Sequence, residues 1–275
     1  MKPTALELST LKAINALIAG RIAGIAGDEE LQILEAGCGR KWAIDLSGTR
    51  YRLTGVDLDA KALEHRKNSV RDLDEAIVGD LRAIDFPRGR FDVIYSAFVL
   101  EHVEGAEEVL EKLVLWLKPG GLLILQVPDR DSVYGFFARK TPFWFHVFYA
   151  KHFNEHYRRL GTAGKPGSGP YPTHHDPVIG RAQFRKFAAE HGLELEQEYG
   201  FRRLPRGQQL LTTAVSLLTL RRLASDHVDL CYVARRLPDA VGEVARARRT
   251  ARAPAGAAGA LAGAGAATAA TRENA

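Results

Sequence analysis

Apolar residues recur near the start of the chain at three- and four-residue intervals: Leu11, Ile14, Leu17, Ile18, Ile22 and Ile25. On an α-helix this spacing lines a single face, so residues 1–27 are predicted to hold an amphipathic helix. After Gly27 the period changes. Short apolar runs at Leu31–Leu34, Tyr51–Val56, Ala76–Val78, Phe91–Tyr95 and Leu122–Val127 each read as a buried strand. Helical stretches separate them. One starts at Asp59, a good N-cap, and sets Ala62, Leu63, Arg66 and Val70 along one side. Another runs from Val103 to Leu117, burying Val109, Leu113, Trp116 and Leu117, and stops at Lys118-Pro119-Gly120-Gly121. Strands and helices alternating at this rhythm imply βαβ units around a parallel sheet, an α/β fold.

Two regions break the rhythm. Residues 129–178 are irregular, rich first in aromatics (Tyr134, Phe136, Phe137, Phe143, Trp144, Phe145, Phe148, Tyr149, Phe153) and then in Gly and Pro. Order resumes with a helix at 181–191, a strand at 193–199, a helix at 210–223 and a strand at 228–234. From Asp239 the chain is an Ala/Gly/Arg-rich tail with few large apolar side chains, which predicts disorder over 239–275. The expected organisation is one domain over 1–238, with 129–178 inserted as a cap.

Composition narrows the function classes. Of the 275 residues, 46% are hydrophobic and 26% charged, as in an ordinary globular domain. Cys38 and Cys231 are too few for a disulfide framework, and the start of the chain lacks a signal-peptide pattern. No apolar run approaches the ~18–20 residues that span a bilayer, so a cytoplasmic location is expected. The net charge of +5 is partly carried by the tail, whose five Arg and three acids leave 33 basic against 30 acidic residues elsewhere. So even a body predicts no nucleic-acid partner.

The candidate chemistry lies at the strand ends. Leu34-Glu35-Ala36-Gly37-Cys38-Gly39 closes the first strand with a glycine turn, where backbone can approach a ligand. Asp57 follows 20 residues after Gly37 at the tip of the second strand, the offset at which an acid meets ribose hydroxyls. Gly79-Asp80-Leu81 ends the third strand. There Asp80 is suited to accept from an adenine amine, and Leu81 to give an N–H and an apolar wall. Phe91-Asp92-Val93-Ile94-Tyr95-Ser96, Leu100-Glu101-His102-Val103 and Leu117-Lys118-Pro119-Gly120-Gly121 complete the set. A nicotinamide-dependent oxidoreductase shares the first two signals. It wants a third glycine, however, where this chain has Trp42.

In this order the six motifs resemble class I S-adenosylmethionine-dependent methyltransferases, within the branch of the ubiquinone- and menaquinone-biosynthesis enzymes and their small-molecule relatives. The resemblance covers residues 31–127. It implies a Rossmann-like methyltransferase fold, mostly parallel with an antiparallel final strand, and S-adenosyl-L-methionine as cofactor. It also implies that Gly37 and Gly39 face the methionine part of the cofactor, with Glu35 supporting their loop and Ser96 beside the sulfonium. Asp57 is then expected at the ribose, and Asp80 with Leu81 at the adenine. Lys41 stands where the family often has another glycine, either reaching the cofactor carboxylate or facing solvent.

The acceptor side is less determined. His102, His174 and His175 are the candidate bases, and no metal is expected. The aromatic cap is expected to wall an apolar pocket for a small-molecule acceptor, with O-methylation of a hydroxyl on a secondary or cell-envelope metabolite favoured. An aromatic, isoprenoid or sugar-like compound fits. The other readings of the aromatic stretch are peripheral membrane contact through 136–153 to collect a lipid-linked acceptor, and a helical hairpin that packs its aromatics into the core, which is compatible with the cap. For the whole chain, a cofactor-binding regulator without turnover is the alternative. The place after the fourth strand reads Ser96-Ala97-Phe98-Val99, which disfavours an adenine-amine nucleic-acid methyltransferase.

Overall fold

Alternation along the strands decides the layering. In β2 (Leu31–Ala36), Ile33 packs into one hydrophobic cluster and Leu34 into another on the opposite face. Val93 and Ile94 of β5 (Phe91–Ala97) divide in the same way, as do Ile124 and Leu123 of β6 (Leu117–Pro128). A strand buried on both faces needs helices above and below, and the chain supplies them. The computed structural model describes residues 4–5, 11–153, 171–174, 176–201, 206–220 and 222–238. The predicted tail at 239–275 and the candidate base His175 lie outside these residues.

Eight strands form one sheet in the order β1-β7-β8-β6-β5-β2-β3-β4. The remaining strands are β1 (Thr4–Ala5), β3 (Tyr51–Asp57), β4 (Glu75–Val78), β7 (Leu193–Phe201) and β8 (Asp229–Arg236). All pairings are parallel except those of β8, which runs antiparallel between β6 and β7. This is the Rossmann-like α/β arrangement with a reversed final strand. The order changes direction between β2 and β5, and the ends of those strands define the crevice where ligands of open α/β sheets bind.

The helix α1 (Leu11–Ala23) buries Ile14, Ile18 and Ile22 in the cluster on one face, as their spacing predicts, while Leu11 stays 45% exposed. On the other face α3 (Ala106–Trp116) and α6 (Arg181–Glu190) bury Val109, Leu113, Trp116, Phe184 and Phe187. The Asp59 carboxylate caps α2 (Ala60–His65) by accepting from the amides of Lys61 and Ala62.

Four local expectations are corrected. Val70 is exposed because α2 loosens into a π-turn at Arg66–Val70 and ends at Arg71, whose φ is 60°. Lys118-Pro119-Gly120-Gly121 does not precede β6 but forms a bulge within it: Leu117 pairs with Phe91, and pairing resumes at Leu122 with Val93. Residues 133–153 are also regular, comprising α4 (Val133–Lys140), capped by the Ser132 hydroxyl, and α5 (Phe143–Phe153). Two consecutive helices match the helical-hairpin reading of this stretch, but their aromatics face mostly outward rather than into the core. The last helix, α7 (Arg206–Leu218), begins and ends earlier than its apolar pattern suggests and packs on α4.

One buried ionic cluster locks the end of β6 to the start of β8. The fully buried Asp129 carboxylate contacts His227 Nε2 at 2.8 Å, and the other ring nitrogen lies 3.0 Å from Asp226. Burial opposes a charge on His227, but these two hydrogen bonds outweigh it and push the imidazole up to about 9.

Candidate active site

The glycine turn follows β2 directly. Gly37 and Gly39 have φ of 77° and 54°, in the left-handed region that side chains disfavour. At Gly37 packing adds a second constraint, because a Cβ there would lie 2.2 Å from Val99 Cγ2. Nothing lies within 4 Å of a Cβ built at Gly39, so that side of the turn is open. The amides of Gly37 and Cys38 both donate to the Val56 carbonyl, at 2.8 and 3.0 Å, which ties the turn to the tip of β3.

Asp57 stands at that tip. Its Oδ2 accepts from the Gly39 amide and its Oδ1 from the Asp59 amide, each at 2.8 Å. Carboxylate oxygens accept two hydrogen bonds each, so the half-exposed group keeps capacity for two hydroxyls. Asp57 therefore both fixes the turn and offers acceptors beside it. Together, an open glycine turn and an acid with spare lone pairs fit the amino-acid and ribose parts of S-adenosylmethionine.

Beneath the turn lies a charged network that sequence patterning only half exposes. Glu35, expected to support the loop, does so through Arg66. The Arg66 guanidinium, fully buried, donates to Glu35 Oε2 at 2.5 Å, to the Cys38 carbonyl at 2.9 Å and to both Asp72 oxygens. Arg66 lies on the helix side predicted to be buried, but a charge in an apolar stripe carries no sign of its partners. Desolvation pushes the Glu35 carboxyl up to about 8 against the pull of Arg66.

Three other expected contacts take a different form. The Asp80 carboxylate is held by Arg82 in a two-pronged pair, with Nη2 to Oδ2 at 2.6 Å and Nε to Oδ1 at 3.1 Å. This hydrogen bond keeps Asp80 below the usual carboxylate range and occupies the acceptors expected for an adenine amine. The Leu81 side chain turns into the core, so it offers no apolar wall and leaves only its backbone for the ligand. Ser96, 2% exposed, donates from Oγ to the Ala36 carbonyl at 2.9 Å and so braces the turn from below. Lys41 faces solvent.

Two of the candidate bases come together on the opposite side of the crevice. His102 closes a 3-10 turn, Leu100–His102, that begins just after Val99, the residue packed on Gly37. Its Nδ1 lies 2.7 Å from the Pro172 carbonyl. A carbonyl only accepts, so Nδ1 carries the hydrogen and Nε2 keeps its lone pair. Desolvation holds the ring below the ordinary histidine value, with His174 adding a smaller push in the same direction. Tyr171 packs edge-on to this ring at 5.8 Å, and the His174 amide donates to the Glu101 carbonyl at 2.7 Å. Glu101 itself went unpredicted. Its side chain is 3% exposed, Oε2 is buried without a hydrogen-bond partner, and burial pushes the carboxyl up to about 8.

Beside His174 opens a cleft of about 290 Å³ between α4, the start of α5 and residues 172–174. Arg130, Arg139, Thr141, His146 and Phe143 line it, so its wall is largely polar and cationic rather than apolar. Most α5 aromatics turn outward instead, with Trp144 68% and Phe148 47% exposed.

A family model described as a methyltransferase domain matches residues 11–198, well over half of the chain. The chain belongs to the class I S-adenosylmethionine-dependent methyltransferases. A demethylmenaquinone methyltransferase from Listeria welshimeri is 28% identical over 138 residues, which are 45% of this chain and 58% of that one. This methyltransferase-family chain thus matches less than two thirds of that relative's length. A solved Galdieria sulphuraria protein, provisionally a sarcosine dimethylglycine methyltransferase, aligns with a TM-score of 0.53. It is 12% identical, over 82% of this chain and 86% of that one. The [4+2]-cyclase SpnF also aligns, with a TM-score of 0.50 and 13% identity over 84% of this chain and 83% of its own. These two likenesses concern the fold. Chemistry has to be argued from the site.

Proposed function

We propose that this protein methylates an oxygen of a small-molecule acceptor, with S-adenosylmethionine held at the Gly37–Gly39 turn and His102 as general base. Bound S-adenosylmethionine supplies an electrophilic methyl on a sulfonium. Asp57 orients the nucleoside, and the Glu35–Arg66–Asp72 network keeps the turn in shape for it. His102 Nε2 would take the hydroxyl proton as the acceptor oxygen bonds to the methyl carbon and the sulfur–methyl bond breaks, which leaves S-adenosylhomocysteine. The observation that carries this reading is the Val99–His102 stretch. One end packs on the cofactor turn and the other presents a neutral imidazole with a free lone pair. His174, and His175 outside the described residues, are the alternates for the base. Transfer of labelled methyl across a panel of hydroxyl, quinol and carboxyl acceptors tests it. The expected result is turnover that falls only below the lowered pKa of His102. Tight S-adenosylhomocysteine binding with no transfer to any acceptor would favour the non-catalytic regulator.

A second reading supposes a lipid-linked or isoprenoid acceptor collected at a membrane surface. Its support is the outward-facing α5, where Phe143, Trp144 and Phe145 are 44%, 68% and 39% exposed. Residues 132–153 contain Arg139, Lys140 and Lys151 and no acid. Among the described residues no helix is long and apolar enough to cross a membrane. Co-sedimentation with anionic vesicles, lost in Trp144→Ala, is the expected result. Equal recovery of both proteins in the supernatant would remove this reading.

A further inference from the structure

The cleft beside His174 brings two arginines together without a counter-ion. Arg130 follows the end of β6 and Arg139 stands in the last turn of α4. Among the described residues neither guanidinium has a carboxylate within 4.0 Å. Each is half-buried. The Arg130 side chain is held in place by its stem: a Cβ at Gly180 would lie 2.7 Å from Arg130 Cδ, so the missing side chain at Gly180 makes its bed. Arg139 is held by its head, since Nη2 donates to the Arg130 carbonyl at 2.8 Å. Its Nε is buried with no hydrogen-bond partner. His146 and His174 also line it, and among the described residues no acidic side chain does. Asp131 and Asp176 act on Arg130 from further off, and the Asp176 carboxylate is already engaged by the Val178 amide at 3.0 Å.

Two like charges fixed side by side, one with an unused buried donor, form an arrangement that is unfavourable until an anion enters. Guanidinium groups recognise carboxylate and phosphate oxygens through paired charge-assisted hydrogen bonds. We infer that the Arg130–Arg139 cleft is the acceptor subsite and binds an oxyanion carried by the acceptor, a carboxylate or a phosphate. This rests on the functional reading above, in which the acceptor reacts at His102, and it narrows the acceptor to an anionic compound. An anion gripped by Arg130 and Arg139 leaves the remainder of the molecule to extend past His174 toward His102.

The test follows the arginine Nε–Hε resonances of the protein loaded with S-adenosylhomocysteine, titrated separately with citrate, tripolyphosphate and the neutral control glycerol. The expected outcome is a saturable shift of the Arg139 Nε–Hε signal with one or both anions and none with glycerol. Arg130→Gln and Arg139→Gln should each weaken the anion about tenfold or more while S-adenosylhomocysteine affinity stays unchanged. A response to citrate alone points to a carboxylate acceptor, and one to tripolyphosphate alone to a phosphate. Loaded protein whose arginine signals ignore both anions would overturn the inference and leave the methyltransferase reading standing. Failure to bind S-adenosylhomocysteine would instead overturn the methyltransferase reading and the acceptor assignment with it, leaving only an anion site where the shifts persist.

Discussion

The two sides of the crevice are built on opposite plans. At the glycine turn the buried charge is partnered: Arg66 is enclosed by Glu35, Asp72 and the Cys38 carbonyl, and Asp57 already holds the Gly39 amide. At the acceptor side, Arg130 and Arg139 face a cleft where no carboxylate of the described residues contacts them, and Glu101 keeps a buried oxygen without a hydrogen-bond partner. The first side is pre-organised, so a ligand entering it causes little rearrangement. The second is incomplete, so its ligand supplies part of the electrostatic balance. This division suits an enzyme with one fixed cofactor and a specific acceptor. Binding energy is spent where selectivity is needed, and rigidity sits where the methyl donor must be aligned.

The contrast can be broken at several points. The largest expected effect is at His102. Replacing it with Gln removes the proton acceptor but keeps a polar group of similar reach, and methyl transfer should fall about 10²- to 10⁴-fold. S-adenosylhomocysteine affinity should stay within a factor of about two, because His102 lies across the crevice. Steady-state kinetics and calorimetry on the same preparation read both. Transfer unimpaired in His102→Gln would shift the base to His174 or His175.

Next is the network beneath the turn. Arg66→Met leaves Glu35 and Asp72 without their shared cation, and breaking a buried ion pair from one side costs about 3–5 kcal/mol. Urea denaturation should show a loss of that order, and a loss below about 1 kcal/mol would mean that the Glu35–Arg66–Asp72 contacts contribute little to holding the turn. His227 probes the rim from the acceptor side. Its folded pKa, about 9, lies above the ordinary value of 6.5. The clamp to Asp129 is therefore at full strength below pH ~6.5 and is lost as pH rises through about 9. That shift corresponds to at most about 3 kcal/mol. The stability gap between the wild-type protein and His227→Gln should accordingly narrow between pH 6.5 and 10. A gap constant over that window would show that His227 is neutral in the folded protein.

How far these features could be read from sequence follows from the range of the interactions. Strands and turns are local, so the buried run at Leu31–Leu34, the cap at Asp59 and the glycine turn at Gly37 were all visible. The Arg66–Glu35 pair spans 31 residues and the His227–Asp129 pair spans 98. Such contacts are created by the strand order, and no spacing rule announces them. The orientation of α4 and α5 was illegible for another reason. Tyr134, Phe137, Trp144 and Phe145 are exposed, so the apolar stripe that marks a buried helix is absent. The same outward aromatics made an apolar pocket wall look natural, whereas the cleft took its lining from Arg130, Arg139 and the histidines.

The central claim is that the nucleoside of S-adenosylmethionine lies against the tip of β3, where Asp57 serves both the turn and the ligand. Calorimetric titration of S-adenosylhomocysteine into the wild-type protein and Asp57→Ala tests it directly. Hydrogen bonds to a charged acceptor contribute ~1.5–3 kcal/mol, so affinity should fall about tenfold or more, with the melting temperature read alongside to show that the variant remains folded. A folded Asp57→Ala protein that binds S-adenosylhomocysteine as tightly as the wild type would contradict the account and put the nucleoside elsewhere.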